Sequence, residues 1–264
     1  MSVKLTDRDP AKIRDMFAAI APRYDFLNHF LSFGIDRHWR ARTVRLTLTP
    51  TTRRVLDLCT GTGDLAMVYH RAMCRRGDVF SPATATGTAG DRTTDNVDGD
   101  YGGTGVIGTD FCEPMLEIGR RRIGSTPGLE LQVADTLNLP FNEASFDLVS
   151  VAFGLRNVAD TAAGLHEMVR VCRPGGQVAI LEFTMPRSRL IGPVYRFFFL
   201  RILPRIGQLV ARNAHAAYHY LPASVGAFPQ YEAMLARMES AGLCKCRMTP
   251  MTFGIATLYV GVKR

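Results

Sequence analysis

Apolar residues along this chain alternate between short unbroken runs and longer stretches with helical spacing. Met16, Phe17, Ile20, Phe26, Leu27, Phe30 and Leu31 recur on one helical face and predict an amphipathic helical region over 11–46. Val55-Leu56-Asp57-Leu58 predicts a buried strand over 53–59, followed by a helix over 63–75. Further strands are expected at Val106–Asp110, Leu129–Ala134, Phe146–Ala152 and Gln177–Phe183. Helices are expected over 113–123, with Pro114 tolerated in the first turn, and over 161–172, ending at Arg173-Pro174-Gly175-Gly176. This β-α alternation demands a parallel sheet with right-handed crossovers. A last helix over 229–241 and two strands near 244–249 and 254–262 close the chain, and a hairpin there fits a sheet whose final strand is antiparallel. The expected fold is therefore α/β and Rossmann-like, with seven strands, mostly parallel, and helices on both faces.

Two stretches break the pattern. Residues 76–104 are rich in Gly, Thr and Asp with almost no apolar residues. Such a composition cannot bury enough surface to order itself, which predicts a disordered insertion with no function of its own. Residues 190–222 are very apolar, yet Arg196, Arg201 and Arg205 interrupt them. A membrane span needs about 20 apolar residues with few charges, so this segment reads as an amphipathic helical cap. The chain is then one domain over 1–264, with a helical lid over 1–50 at its N-terminus.

The 47% hydrophobic content supports a sizeable core. The six cysteines show neither metal spacing nor a disulfide framework, and Cys244 and Cys246 read as alternation in a strand. Met1 to Pro10 is polar and charged, unlike a secretion signal, so a reduced cytoplasmic setting is expected. The net charge of +8 fits nucleic acid, an anionic membrane surface or acidic substrates. The arginines are spread along the chain, so most of this charge reads as solvated surface, with attachment at the inner face of the membrane left open.

The chemistry gathers at Val55–Asp64. Gly61 and Gly63 let the backbone turn tightly and approach a ligand, and the helix that follows aims free N–H groups at it. Ligands of open α/β sheets sit at this carboxyl edge. A dinucleotide would need a third small residue, which Ala66 offers weakly. Asp57 decides otherwise: a carboxylate beneath the turn repels a pyrophosphate and attracts an ammonium. S-adenosylmethionine (SAM) carries an ammonium and a carboxylate at one end. Asp110, ending strand two, suits both ribose hydroxyls, and Asp135, ending strand three with Thr136 beside it, suits the adenine amino group. No metal site is expected.

Val55–Asp64, Gly108–Pro114, Ala134–Phe141 and above all Phe153-Gly154-Leu155-Arg156-Asn157-Val158 resemble the ubiquinone/menaquinone biosynthesis C-methyltransferases. Arg173–Gly176, Leu181-Glu182-Phe183, Leu203-Pro204-Arg205-Ile206-Gly207 and Tyr24-Asp25-Phe26-Leu27-Asn28, with Ser32, Gly34, Arg37 and Trp39, extend the resemblance over almost the whole chain except 76–104. It implies SAM-dependent C-methylation of a prenylated benzoquinol or naphthoquinol. Thr62, Asp110, Asp135 and Thr136 carry over as SAM contacts, together with Ala152, where the family often has Ser. Arg156 is expected to stabilise the quinolate or to shape its loop. Tyr24, Asp25 and Asn28 are expected to orient or deprotonate the ring hydroxyl, with His215, Tyr218, His219 and Tyr220 as weaker candidates for a base. Phe197, Phe198, Phe199, Leu200 and Ile202 receive the isoprenoid tail, dip into a membrane surface or pack the cap.

Three other readings compete. An RNA methyltransferase fits the basic charge, but base methylation often uses an Asn/Asp-Pro-Pro-aromatic turn where this chain has Phe153-Gly154-Leu155-Arg156, so no nucleic-acid partner is expected. A non-catalytic SAM-binding accessory protein of the quinone pathway and an NAD enzyme are the others. The ring, the tail length and the oligomeric state stay open.

Overall fold

The apolar runs become seven strands: β1 (Arg54–Leu58), β2 (Gly105–Asp110), β3 (Leu129–Val133), β4 (Phe146–Ala152), β5 (Cys172–Phe183), β6 (Leu243–Met251) and β7 (Ala256–Lys263). In the computed structural model they form one sheet in the order β3-β2-β1-β4-β5-β7-β6. The structure describes residues 9–32, 34–78, 105–202, 205 and 215–264, with the backbone alone over 22–31 and 215–219. Strands β1 to β5 pair in parallel. β7 is antiparallel to both β5 and β6, so the final strand lies inside the sheet and β6 takes its edge.

Among the described residues eight α-helices accompany the sheet: α1 (Pro10–Leu31), α2 (Ile35–Thr47), α3 (Asp64–Arg75), α4 (Glu113–Ile123), α5 (Thr161–Val171), α6 (Ile191–Phe197), α7 (His215–Ala227) and α8 (Glu232–Ser240). Neighbouring strand residues bury to opposite faces, as a period of two requires. Val55, Val106, Leu148, Leu181 and Val260 pack with Leu65, Tyr69 and Met73 of α3, Leu116 of α4 and Trp39 of α2. Leu56, Ile107, Val149, Ile180 and Tyr259 pack with Leu165 and Met168 of α5 and Met234 and Met238 of α8. The class α/β, Rossmann-like and with helices on both faces, is as expected.

Strand order reverses between β1 and β4, which are direct neighbours in the sheet. Helices that leave those strands in opposite directions open a crevice above their carboxyl ends, where such sheets bind ligands. Two helices crowd that edge. Phe17, Ala18 and Ala21 of α1 pack on Cys112, Met115 and Ile118 at the start of α4. On α2, the Trp39 ring lies 5.9 Å from Phe153 and 6.0 Å from Phe183, and its Nε1 donates to Thr252 Oγ1 at 2.8 Å.

The structure departs from the sequence reading at several boundaries. The helical region over 11–46 is two helices, parted at Gly34, whose φ of 74° is left-handed. Arg173–Gly176 is not a terminus before β5 but an irregularity inside it: the pairing steps from Phe146–Cys172 to Leu148–Gln177. The insertion starts later than 76. Asp78 accepts from Arg53 and Arg76, and Arg76 Nη2 donates to Thr52 O at 3.0 Å. The disorder expected beyond falls on 79–104, outside the described residues. The cap over 190–222 is helical where described: α6 widens into a π-helical turn at Phe198–Ile202, and α7 follows from His215. Cys244 and Cys246 do lie on β6, at a register shift.

Candidate functional site

The Gly turn and three strand ends build the site. Gly61 and Gly63 have φ of 59° and 84°, values that favour glycine, and Gly63 caps α3. Beneath the turn, Asp57 is almost wholly buried. Its carboxylate accepts from Thr60 Oγ1 at 2.7 Å and from Ser150 Oγ at 3.1 Å. Burial outweighs both donors and pushes its pKa up to about 7. At neutral pH the site thus holds a carboxylate at the edge of ionisation, which a positive charge beside it would complete.

Asp110 ends β2 and is held by two backbone donors, Gly61 N–H on one oxygen and Cys112 N–H on the other, each at 2.9 Å. Burial raises its pKa as well. Each oxygen keeps a second lone pair, so the carboxylate is fixed and still able to accept from a diol. Asp135, just past β3, is exposed; its Oδ1 accepts Leu137 N–H at 2.9 Å. Beside it, buried Thr136 places Oγ1 3.6 Å from Cys59 Sγ.

Two cavities open along this edge. The larger spans about 720 Å³, counting the space open to solvent, and is lined by Gly61, Asp110, Asp135, Thr136 and Asn157 among apolar Phe17, Phe111, Met115, Leu137 and Phe153. The smaller, about 380 Å³, is lined by Asp57, Gly61, Thr62, Asp64, Ala152, Phe153 and Arg40. Phe153 and Cys59 border both. They are brought together by Gly154, where an added Cβ would stand 2.3 Å from Cys59 Cβ. Burial and nearby Asp110 push the Cys59 thiol up, which favours its protonated form.

Of the expected cofactor residues, Asp57, Gly61, Thr62, Asp110, Asp135, Thr136 and Ala152 line the two cavities, and Gly63 caps the helix beside them. Arg156 does not line either cavity. It is buried behind Phe153, its Nη1 donating to Phe153 O and to Glu182 Oε2 at 2.9 Å, while its backbone N–H reaches Glu182 Oε1 at 3.2 Å. Tyr24, Asp25 and Asn28 lie on α1, but their side chains, with those of His215, Tyr218 and His219, are outside the described residues. Residues that the sequence reading passed over include Ser150, Phe111 and Arg40. Asp36 and Arg40 sit four apart on one face of α2, a spacing that was available as a signal. Among the described residues no cluster of His, Cys, Asp and Glu could hold a metal ion.

This donor set fits SAM: a buried carboxylate for the ammonium, a fixed carboxylate for the ribose, and an acid with a hydroxyl for the adenine edge. Fold and site together define a SAM-dependent methyltransferase of the Rossmann-like class. Solved structures share that fold. A SAM-dependent methyltransferase from Thermotoga maritima aligns with a TM-score of 0.59 at 17% identity, over 96% of this chain and 100% of that one. A phosphoethanolamine N-methyltransferase from Haemonchus contortus aligns at 0.57 and 14%, over 95% and 60%. At the sequence level, the model of the ubiE/COQ5 methyltransferase family matches residues 5–263. The ubiquinone/menaquinone biosynthesis C-methyltransferase UbiE of Geobacter sulfurreducens is 42% identical over 98% of this chain and 91% of that protein. The demethylmenaquinone methyltransferase of Thermus thermophilus is 44% identical over 93% and 99%. The chain belongs to the ubiE/COQ5 methyltransferase family, and it is a SAM-dependent C-methyltransferase.

Proposed function

We propose that this enzyme methylates a ring carbon of a prenylated quinol, a demethylmenaquinol or the corresponding 2-methoxy-6-polyprenyl-1,4-benzoquinol. Relatives named for those reactions support the substrate class. The observation that carries it is the apolar share of the larger cavity, apart from Asp110, Asp135 and Thr136, which are assigned to the cofactor's adenosine. Phe17, Phe111, Met115, Leu137 and Phe153 offer it an aromatic and aliphatic lining, and no lysine or arginine is among its described lining residues. Such a chamber suits a neutral aromatic acceptor better than a phosphate-bearing one.

SAM, when bound, supplies an activated methyl group on a sulfonium. The chain's own task is then orientation and charge stabilisation. Asp57, Asp110 and Asp135 hold the donor along the sheet edge. Asn157 Oδ1 lies buried in the cavity wall with no hydrogen-bond partner, and it accepts the ring hydroxyl, which aims the adjacent carbon at the methyl. Arg156 is a positioning residue: its pairing with Glu182 holds the Phe153–Asn157 turn that presents both Phe153 and Asn157.

The substrate's tail is insoluble in water, and the apolar cap offers it a route. Leu190, Val194, Phe197 and Leu200 follow one helical face and are 84%, 70%, 60% and 46% exposed. Phe199 on the opposite side is buried against Val225 and Tyr195. Arg189, Arg196, Arg201 and Arg205 are exposed around the stripe. An amphipathic helix of this kind rests on an anionic bilayer surface. No helix among the described residues is long and apolar enough to cross a membrane.

The test is methyl transfer from labelled SAM to both short-tailed demethyl quinols, reduced and oxidised, and to transfer RNA. Transfer to a reduced quinol alone is expected, and the ratio of the two rings names the pathway. Transfer to RNA with none to either quinol would overturn the proposal.

A further inference from the structure

Arg40 belongs to none of the motifs around the Gly turn, yet it lines the smaller cavity with Asp57, Thr62, Asp64 and Ala152. The residue is only 8% exposed, and a guanidinium this buried needs partners. Its Nη1 pairs with Asp36, four residues earlier on α2. Its Nη2 reaches Asp64 Oδ2 at only 3.5 Å, within ion-pair range but long for a hydrogen bond. Asp64 has a closer partner on its other oxygen, Arg122 Nη2 at 2.9 Å. One end of the Arg40 fork is therefore anchored, and the other is loosely engaged at the cavity wall.

A cavity presenting a buried carboxylate and a buried guanidinium is complementary to an α-amino acid zwitterion. We propose that Arg40 binds the carboxylate of the cofactor's amino-acid end, while Asp57 takes the ammonium. This rests on the SAM reading of the site and deepens it. A guanidinium matches a carboxylate with two parallel N–H donors, and Nη2 gains by exchanging its long contact with Asp64 for a shorter one. Arg40 sits next to Trp39, which is wedged against Phe153 and Phe183 and tied to Thr252. Cofactor loading thus fixes α2, and with it the lid side of the substrate cavity.

Trp39 is the single tryptophan of the chain, so its fluorescence reports binding without turnover. Affinity is measured by that signal and by calorimetry for S-adenosylhomocysteine and for 5′-methylthioadenosine, which lacks the amino-acid end. Arg40→Gln is expected to weaken the first by about tenfold or more, the cost of one charge-assisted contact, and to leave the second unchanged. Equal losses for both ligands, or none for either, would overturn the Arg40 assignment alone. A wild type that binds neither ligand would overturn the cofactor reading instead. Because Arg40→Gln removes the ion-pair partner of buried Asp36, which keeps the Ser32 Oγ hydrogen bond at 2.7 Å, the same pair of ligands is measured on Asp36→Asn/Arg40→Gln, where the same selective loss is expected.

Discussion

Asp57 sets the ionisation of the site. Its folded-state pKa, raised from 3.8 to about 7, means that between those values the folded protein holds a proton the unfolded chain would release. Its contribution to stability is fully present below pH 3.8 and is lost as pH rises through about 7. Under the proposed pairing of Asp57 with the cofactor's ammonium, binding reverses that preference, because an ammonium there needs the ionised form. Calorimetry of S-adenosylhomocysteine binding at pH 6, in buffers of different ionisation enthalpy, should show proton release. Affinity should climb towards pH 7 and level off above it, and Asp57→Asn should flatten the profile. An unchanged profile in that variant would assign the proton elsewhere. A second residue-scale prediction concerns Gly154. Gly154→Ala places its Cβ against Cys59 and should lower the melting temperature and cofactor affinity together. Cys59→Gly in the same chain removes the colliding atom and suits the φ of 49° at that position, so it should restore both. The three acids were legible in the sequence because each lies at or near the carboxyl end of an apolar run. Arg40 was not: in one sequence a buried arginine has the same letter as a solvated one, and only its Asp36 partner four residues away distinguishes it.

At the scale of elements, the central strands were legible because apolar runs buried on both faces have no other use. The break between α1 and α2 was not, because Leu31 and Ile35 continue the apolar spacing across Gly34. The place of β7 inside the sheet was equally hidden, since periodicity encodes a strand and not its neighbour. The Phe153–Asn157 turn is held to β5 by the Arg156–Glu182 pair, whose side chains are 7% and 0% exposed. Removing one partner strands a buried charge at a cost of ~3–5 kcal/mol, so Arg156→Ala should lower the melting temperature clearly. Arg156→Met with Glu182→Gln should recover stability, and turnover should return in part. A stable, fully inactive double variant would place Arg156 on the substrate. The α6 stripe makes its own prediction. Flotation with anionic phospholipid vesicles should carry the wild type and not Val194→Asp/Phe197→Asp, with affinity for S-adenosylhomocysteine unchanged. Equal flotation of both would remove the bilayer from the account.

The whole molecule places a charged cavity, proposed for the cofactor's amino-acid end, beside a larger one, proposed to take the adenosine on Asp110, Asp135 and Thr136 and the acceptor on its apolar wall, with Phe153 common to both. The helices α1 and α2 lie on the same edge, and the α6 cap follows from the carboxyl end of β5. The central claim is that these parts deliver a methyl group to carbon. It is tested most directly by incubating the enzyme with trideuteriomethyl-labelled SAM and a reduced short-tailed demethyl quinol, then locating the label by NMR. The account predicts the label on a ring carbon, with both hydroxyls retained. A label on a ring oxygen would contradict it.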